Sequence, residues 1–405
     1  MIRVLVVDDS AFMRKMIAEI IEEAPGFTVV GRARNGEEAV RLAEQLKPDV
    51  MTLDVEMPVM NGLEALKVLM KQPRPVPVVM ISSLTQDGAE TTIEALQLGA
   101  VDFVAKPSGS ISRDLYKVKA MILDKVATAA SVRRPFLPSG PPAAAPGKGG
   151  LAGKAPARPG SAPAFGAPAM GAPASGAPAP GAGAIGAAAS GKPAGAAHSP
   201  AGPAGGTVPS PAGTAVAGIT AIGTSTGGPK ALLTLLSAFP ADYKYPIVIV
   251  QHMPPKFTAS LAQRLNQLSP LTVMEAAQHQ RLLPGHVYLA PGGYHMEVEP
   301  SGGEYRIVLS QQAPVNGHRP SVDVLFDSVS RLPRLKRSYV ILTGMGNDGA
   351  RAMQRAKQAF PEAFTIAEAE QTCVVYGMPR AAVELGCVDC VAPLEAIVQR
   401  LVASQ

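Results

Sequence analysis

The 405-residue sequence has no tryptophan, few aromatic residues and only three cysteines. Cys373, Cys387 and Cys390 stand together near the end. They are too few and too clustered for a disulfide framework, which points to a reducing compartment. No run approaches the ~18 unbroken apolar residues of a membrane span, so insertion in a bilayer is not expected. The first apolar run, Ile2–Val7, is too short for the core of an export signal. These absences predict a cytoplasmic protein. Acidic residues are missing altogether from Arg133 to Ala215, where six Lys or Arg stand. That segment carries the excess positive charge, because the rest of the chain holds 31 basic against 32 acidic residues. A nucleic-acid groove needs clustered basic residues on a folded face, so nucleic acid is not an expected partner.

What the middle segment does have is proline, glycine and alanine, in runs such as Gly166–Met170 and Gly171–Ser175. It cannot bury enough apolar surface to offset chain entropy and reads as a disordered tether over residues 129–214. On either side the pattern is α/β. Apolar runs at Ile2–Val7, Phe27–Gly31, Val50–Leu53, Val76–Ile81 and Asp102–Ala105 alternate with helical periodicity at Ala11–Glu23, Gly36–Gln45, Gly62–Lys71, Ala89–Leu98 and Arg113–Ala127. Five β-α units in residues 1–128 predict a doubly wound parallel sheet. Residues 215–405 begin the same way, with strands at Val216–Ile222 and Tyr245–Val250 and helices from Pro229 and near Thr258–Leu268. A glycine-punctuated stretch, Val287–Ser310, reads as a hairpin insertion. The α/β pattern then resumes with a helix at Val322–Leu332, a strand at Tyr339–Leu342 and a helix from Gly349.

In the first unit Asp8 and Asp9 follow the first strand and Asp54 the third; Ser82 ends the fourth, and Lys106 precedes Pro107 after the fifth. Parallel strands gather their carboxyl ends at one edge, where ligands bind. Three acids there repel one another and call for a cation; an all-oxygen set suits Mg²⁺. A carboxylate beside Mg²⁺, a lysine and a hydroxyl is what phosphoryl transfer to Asp54 requires. Pro107 is a candidate cis turn. This set resembles response-regulator receiver domains. The resemblance implies phosphorylation at Asp54 and Mg²⁺ on Asp8, Asp9, Asp54 and the Glu56 carbonyl. It also implies phosphoryl contacts from Ser82 and Lys106, and a switch aromatic at Phe103.

In the second unit, Gly223-Thr224-Ser225-Thr226-Gly227-Gly228 lies between a strand and a helix opened by Pro229. A G-x-S-x-G turn lifts a serine into the open at a helix N-terminus. The phosphate-loop patterns G-x-G-x-x-G and G-K-[ST] are missing. His252 follows the strand ending at Val250, and Asp348 follows the one ending at Leu342, so both can share a cleft with Ser225. Of the other histidines, His198 is in the tether, and His279, His286, His295 and His318 fall in turns or the hairpin. Asp323 is a rival acid, but its place at a helix start suits an N-cap. In this reading His252 takes the Ser225 proton and Asp348 fixes the imidazole tautomer. The N–H groups near Thr226 and in Gly344-Met345-Gly346 hold an oxyanion.

These motifs, with Asn316–Asp323 and Tyr376–Pro379, resemble the protein-glutamate methylesterases of bacterial chemotaxis, the CheB family. The resemblance implies two doubly wound parallel-sheet domains, a (βα)5 receiver and a Rossmann-like hydrolase. It implies hydrolysis of glutamate γ-methyl esters, and deamidation of glutamines, on methyl-accepting chemoreceptors. The implied triad is Ser225, His252 and Asp348, with the Met345 backbone in the oxyanion hole. It further implies control by a histidine kinase through the receiver, which covers the cleft when unphosphorylated. A monomer is expected, and Cys387 and Cys390 are expected to be structural. The competing reading is a response regulator with a non-catalytic nucleotide-binding output domain.

Overall fold

The computed structural model describes residues 1–106, 111–132 and 216–405, with backbone only for 111–117. Pro107, with its expected cis turn, and the tether beyond residue 132 lie outside the described residues.

The N-terminal elements are β1 (Ile2–Val7), α1 (Ala11–Glu22), β2 (Phe27–Ala33), α2 (Gly36–Leu46), β3 (Val50–Asp54), α3 (Gly62–Leu69), β4 (Val78–Ser82), α4 (Gln86–Leu98), β5 (Asp102–Ala105) and α5 (Ile111–Ser131). The first four helices start where a short polar side chain can take an otherwise orphaned N–H: Ser10, Asn35, Asn61 and Thr85 each accept one at the N-cap. All strand pairs are parallel, in the order β2-β1-β3-β4-β5. Strands β3 and β4 are buried along their whole length, as the inner strands of a doubly covered sheet must be. Helix α5 continues into the stretch assigned to the tether because Ala129 is a fully buried core residue.

The second sheet is built from β6 (Gly218–Thr224), α6 (Gly228–Ser237), β7 (Ile247–Gln251), α7 (Phe257–Leu268), β8 (Thr272–Glu275), β9 (His286–Leu289), β10 (His295–Ser301), β11 (Glu304–Ser310), α8 (Val322–Ser330), β12 (Lys336–Ile341), α9 (Ala350–Ala359), β13 (Phe364–Glu368), α10 (Met378–Glu384), β14 (Cys390–Ala392) and α11 (Leu394–Ala403). Seven strands pair in parallel in the order β14-β13-β12-β6-β7-β9-β8. The expected hairpin is β10–β11, a separate antiparallel pair. The front of the predicted insertion is different: Val287 belongs to β9, which pairs with β7 in the main sheet. Its apolar residues fill that core rather than a hairpin.

Chain order reverses at β6. The strands that follow go to one side of it, and the chain then returns to lay β12 on the other, making a topological switch point. Both sheets belong to one compact unit. Helix α4 packs on α7, and the apolar core runs across that contact, with Ile93, Leu96 and Phe103 in one cluster with Phe257 and Leu261. Among the described residues no helix is long and apolar enough to cross a membrane.

Candidate active site and receiver pocket

Ser225, His252 and Asp348 follow β6, β7 and β12, the three central strands of the seven. Parallel register brings their carboxyl ends level: Thr224 lies opposite Gln251, and Ile341 opposite Gly223. Beyond the strands the pairing continues. The His252 N–H donates to the Thr224 carbonyl at 3.1 Å, and the Ser225 N–H to the Thr343 carbonyl at 3.0 Å. The Gln251 amide donates to the carbonyls of both Ser225 and His252, at 3.0 and 3.1 Å, tying the two loops together. This is why residue 228 is glycine: a Cβ there would collide with Gln251 Oε1 and Thr224 Oγ1.

Asp348 is almost fully buried and receives five donors. Oδ2 accepts from His252 Nε2 at 2.8 Å and from the Val322 N–H at 2.7 Å. Oδ1 accepts from the Ser321 hydroxyl and the Asn316 amide, both at 2.9 Å, and from the Asp323 N–H at 3.2 Å. Two of these donors are the first N–H groups of α8, a favourable seat for an anion. Burial alone would raise the carboxyl, but the His252 hydrogen bond and charge, the Asn316 amide and the Val322 N–H hold it well below the usual carboxylate range. A carboxylate can only accept, so His252 carries its proton on Nε2. Nδ1 is left as the basic nitrogen, buried and without a hydrogen-bond partner. The ring is used the other way round from the chymotrypsin arrangement, in which Nδ1–H faces the aspartate. The structure thus joins His252 to Asp348, while no hydrogen bond links Ser225 to Nδ1. His318 stacks on His252 with ring centroids 3.8 Å apart and planes 6° from parallel. Burial and the adjacent His252 push His318 down to about 4, so it stays neutral beside His252 near pH 7.

The Asp323 expectation needs correction. Ser321, not Asp323, stands at the N-cap of α8. Asp323 Oδ1 instead accepts from the Gly349 and Ala352 N–H groups, capping the start of α9. Because α8 aims its N-terminus at Asp348, its first turn lies against the next helix and its side chain reaches across.

The two expected oxyanion donors lie in adjoining turns. Gly344 packs against Ser225 so closely that a Cβ there would lie 2.9 Å from Ser225 Cβ. Receiver residues meet both turns. Asp102, paired with Lys125, accepts from the Thr226 hydroxyl. The Thr128 hydroxyl donates to Met345 Sδ at 3.0 Å. Further along, Lys256 Nζ donates to the Leu84 carbonyl at 3.0 Å, and Phe103 lies on Phe257 with centroids 4.5 Å apart.

In the receiver, carboxylate oxygens of Asp8, Asp9 and Asp54 come within 4.8 Å of one another. Lys106 Nζ is 2.7 Å from Asp54 Oδ2 and 3.2 Å from Asp8 Oδ2. Burial, only partly offset by the Lys106 hydrogen bond, pushes Asp54 up to about 6. Asp8 Oδ2 is buried without a well-formed hydrogen bond. A crowd of acids with an underused oxygen fits a hard divalent cation. Glu56 lies beside this pocket, its side chain accepting from Ser83 at 3.0 Å. Ser82 does not join Asp54: its hydroxyl donates to the Gly88 carbonyl at 3.1 Å and lies 2.7 Å from Thr92 Oγ1.

Sequence reasoning assigned no role to Asn316, His318, Ser321, Gln251 or Thr343. The Asn316–Asp323 stretch was a signal, since a dense polar run before an apolar helix has to satisfy something. All three cysteines are free, with Cys387 buried against the Ala382 carbonyl.

A receiver sheet with an acidic pocket, joined to an α/β domain that holds a Ser–His–Asp grouping, defines a response regulator with a hydrolase-type output domain. Residues 220–401 match the CheB methylesterase family, and residues 4–115 the response regulator receiver domain. The protein-glutamate methylesterase/protein-glutamine glutaminase of Geobacillus kaustophilus is 44% identical over 403 residues, covering 99% of this chain and 98% of that protein. Its counterpart from Halalkalibacterium halodurans is 43% identical over 403 residues, covering 99% and 97%. The chain belongs to this CheB family of protein-glutamate methylesterases, which leaves the nucleotide-binding alternative without support. The crystal structure of the Thermotoga maritima CheB methylesterase catalytic domain shares 41% identity, covering 46% of this chain and 99% of that one with a TM-score of 0.45.

Proposed function

We propose that this protein hydrolyses γ-methyl esters of glutamate on methyl-accepting chemoreceptors, and deamidates glutamines there, under the control of phosphorylation at Asp54. The observation that carries the reading is the committed Nε2 and free Nδ1 of His252, beside a serine held on the neighbouring strand end. Ser225 Oγ attacks the ester carbonyl carbon as His252 Nδ1 takes its proton. The N–H groups of Thr226 and Met345 receive the oxyanion; one such donor is worth ~3–4 kcal/mol of barrier. Asp348 stabilises the imidazolium. The intermediate collapses, His252 returns the proton to the leaving oxygen, and methanol departs. Water, deprotonated by the same nitrogen, then splits the glutamyl–serine ester and leaves a glutamate carboxylate. With glutamine the leaving group is ammonia.

In the receiver, Asp8, Asp9, Asp54 and the Glu56 carbonyl would hold Mg²⁺, which when bound offsets the negative charge around the phosphoryl group. Lys106 contacts that group, and Ser82 turns from Gly88 towards it. The loop carrying Leu84 follows directly, so this turn works against the Lys256 bond and the Phe103 stacking that hold the receiver over the cleft. The phosphate comes from a histidine kinase. We place the protein in the cytoplasm as a monomer, with a receiver that runs to the end of α5 at Ser131, a tether from there to residue 214 and residues 215–405 as catalytic domain. Ser225→Ala should abolish methanol release from a methylated receptor while leaving the fold intact. A variant that keeps a tenth of wild-type turnover would reject the serine mechanism.

A further inference from the structure

Strand β13 ends in Glu368, one strand out from the triad. Its carboxyl is fully buried. Oε2 accepts the Thr343 N–H at 2.8 Å, while Oε1 is enclosed and has no hydrogen-bond partner. Thr343 is the junction of the site. Its carbonyl accepts from the Ser225 N–H at 3.0 Å and the Thr224 hydroxyl at 2.9 Å. Its own hydroxyl donates to the Thr226 carbonyl at 2.9 Å and accepts from the Val375 N–H at 3.0 Å. The residues that follow, Gly344 and Met345, form the second oxyanion turn. Glu368 therefore stands behind both turns, with the one residue Thr343 between its carboxyl and the Ser225 N–H.

Its surroundings do not favour a charge. Burial is the largest influence; the Thr343 N–H is its hydrogen-bond donor, the Thr372 hydroxyl and the Cys373 thiol lie nearby with their hydrogens on the Ala369 and Glu368 backbone carbonyls, and the Glu395 carboxylate acts from α11. Glu370, on the same loop, acts on Cys373. None of these is a cation, and no ion pair to Glu368 exists among the described residues. The carboxyl is pushed up to about 7, and burial raises Cys373 as well, keeping that thiol neutral.

We infer that Glu368 is a positioning residue that must be a neutral carboxylic acid for the oxyanion turns to work. As an acid it anchors Thr343 without adding charge. As a carboxylate it sets an uncompensated anion behind the groups that receive the oxyanion, and the transition state is destabilised. Turnover falls as pH rises and the proton passes to solvent; Coulomb repulsion across a buried site is worth roughly tenfold in rate. Glutamine keeps an oxygen for the Thr343 N–H and cannot ionise.

The inference rests on the esterase reading, and the test separates the two. Methanol release by the full-length protein, activated with a small phosphodonor and Mg²⁺, is followed from pH 5.5 to 9.5 for wild type and Glu368→Gln. Ser225→Ala supplies the background. The variant-to-wild-type ratio of kcat should stay near one at pH 6 and rise about tenfold by pH 9, with KM unchanged. A ratio that does not change with pH overturns the inference alone. Release that never exceeds background at any pH overturns the esterase reading instead. Carbon-13 NMR of the wild type, labelled at glutamate carboxyls, needs no variant. One carboxyl titrating near 7 is expected, and its absence overturns the inference.

Discussion

Replacing Asp348 by asparagine changes one atom and leaves no orientation that satisfies the site. With its amide nitrogen at the Oδ2 position, the new side chain turns an N–H towards the Val322 N–H and His252 Nε2. The backbone donor cannot move, and the imidazole answers by shifting its proton to Nδ1, which removes the base. With the nitrogen at the Oδ1 position, the Nε2–H bond survives. Ser321 must then rotate, Asn316 must flip away from Asp323, and the Asp323 N–H is orphaned. An orphaned buried donor costs about 1–3 kcal/mol, and loss of charge-assisted bonds brings the total to about 2–4 kcal/mol of stability. Catalysis loses the carboxylate that stabilises the imidazolium and, in the first orientation, the correct tautomer. A loss of roughly 10³–10⁴ in kcat is expected. The assays are methanol release at pH 7 from methylated receptor and denaturant unfolding of the same sample. The depressed Asp348 carboxyl contributes stability above its ordinary 3.8 and loses it as pH falls towards its lower folded value. The stability gap between wild type and variant should therefore be full at pH 7 and shrink below about pH 4. A folded variant within tenfold of wild-type turnover would refute the tautomer argument.

Asp102→Ala breaks the receiver's hold on Thr226 without touching the acidic pocket, so basal methanol release should rise severalfold and the response to phosphodonor narrow; an unchanged basal rate would remove Asp102 from the inhibitory contact. Asp54→Asn should keep the wild-type basal rate and lose activation by a small phosphodonor with Mg²⁺; full activation would move the phosphorylation site elsewhere.

Much of this was legible because the chemistry sits at strand ends. Ser225, His252 and Asp348 each follow a clear apolar run, and parallel strands bring such ends together. The receiver was read almost element by element, since its inner strands are unbroken apolar runs. The losses have local causes. Strand β8 is four residues long and only half buried, and β13 ends in an acidic residue type, Glu368, so neither stands out by composition. Val287 reads as part of the hairpin because glycines follow it closely. Asp323 reads as the cap of its own helix, since nothing in the sequence shows that α9 lies within its reach. The ring orientation of His252 was invisible for the same reason: it depends on where α8 aims its N-terminus.

Ser225 follows the middle strand of seven, with His252 and Asp348 after the strands on either side. Each lies at least two strands from a sheet edge, in the part of a structure that opens last. Fraying of β14 and α11 on one flank, or of β8 on the other, leaves the three groups in register. Activity should thus persist through early edge opening and vanish in a single step with the protection of the β6, β7 and β12 amides against hydrogen exchange. Turnover in this protein serves as a local gauge of whether the centre of its sheet is closed.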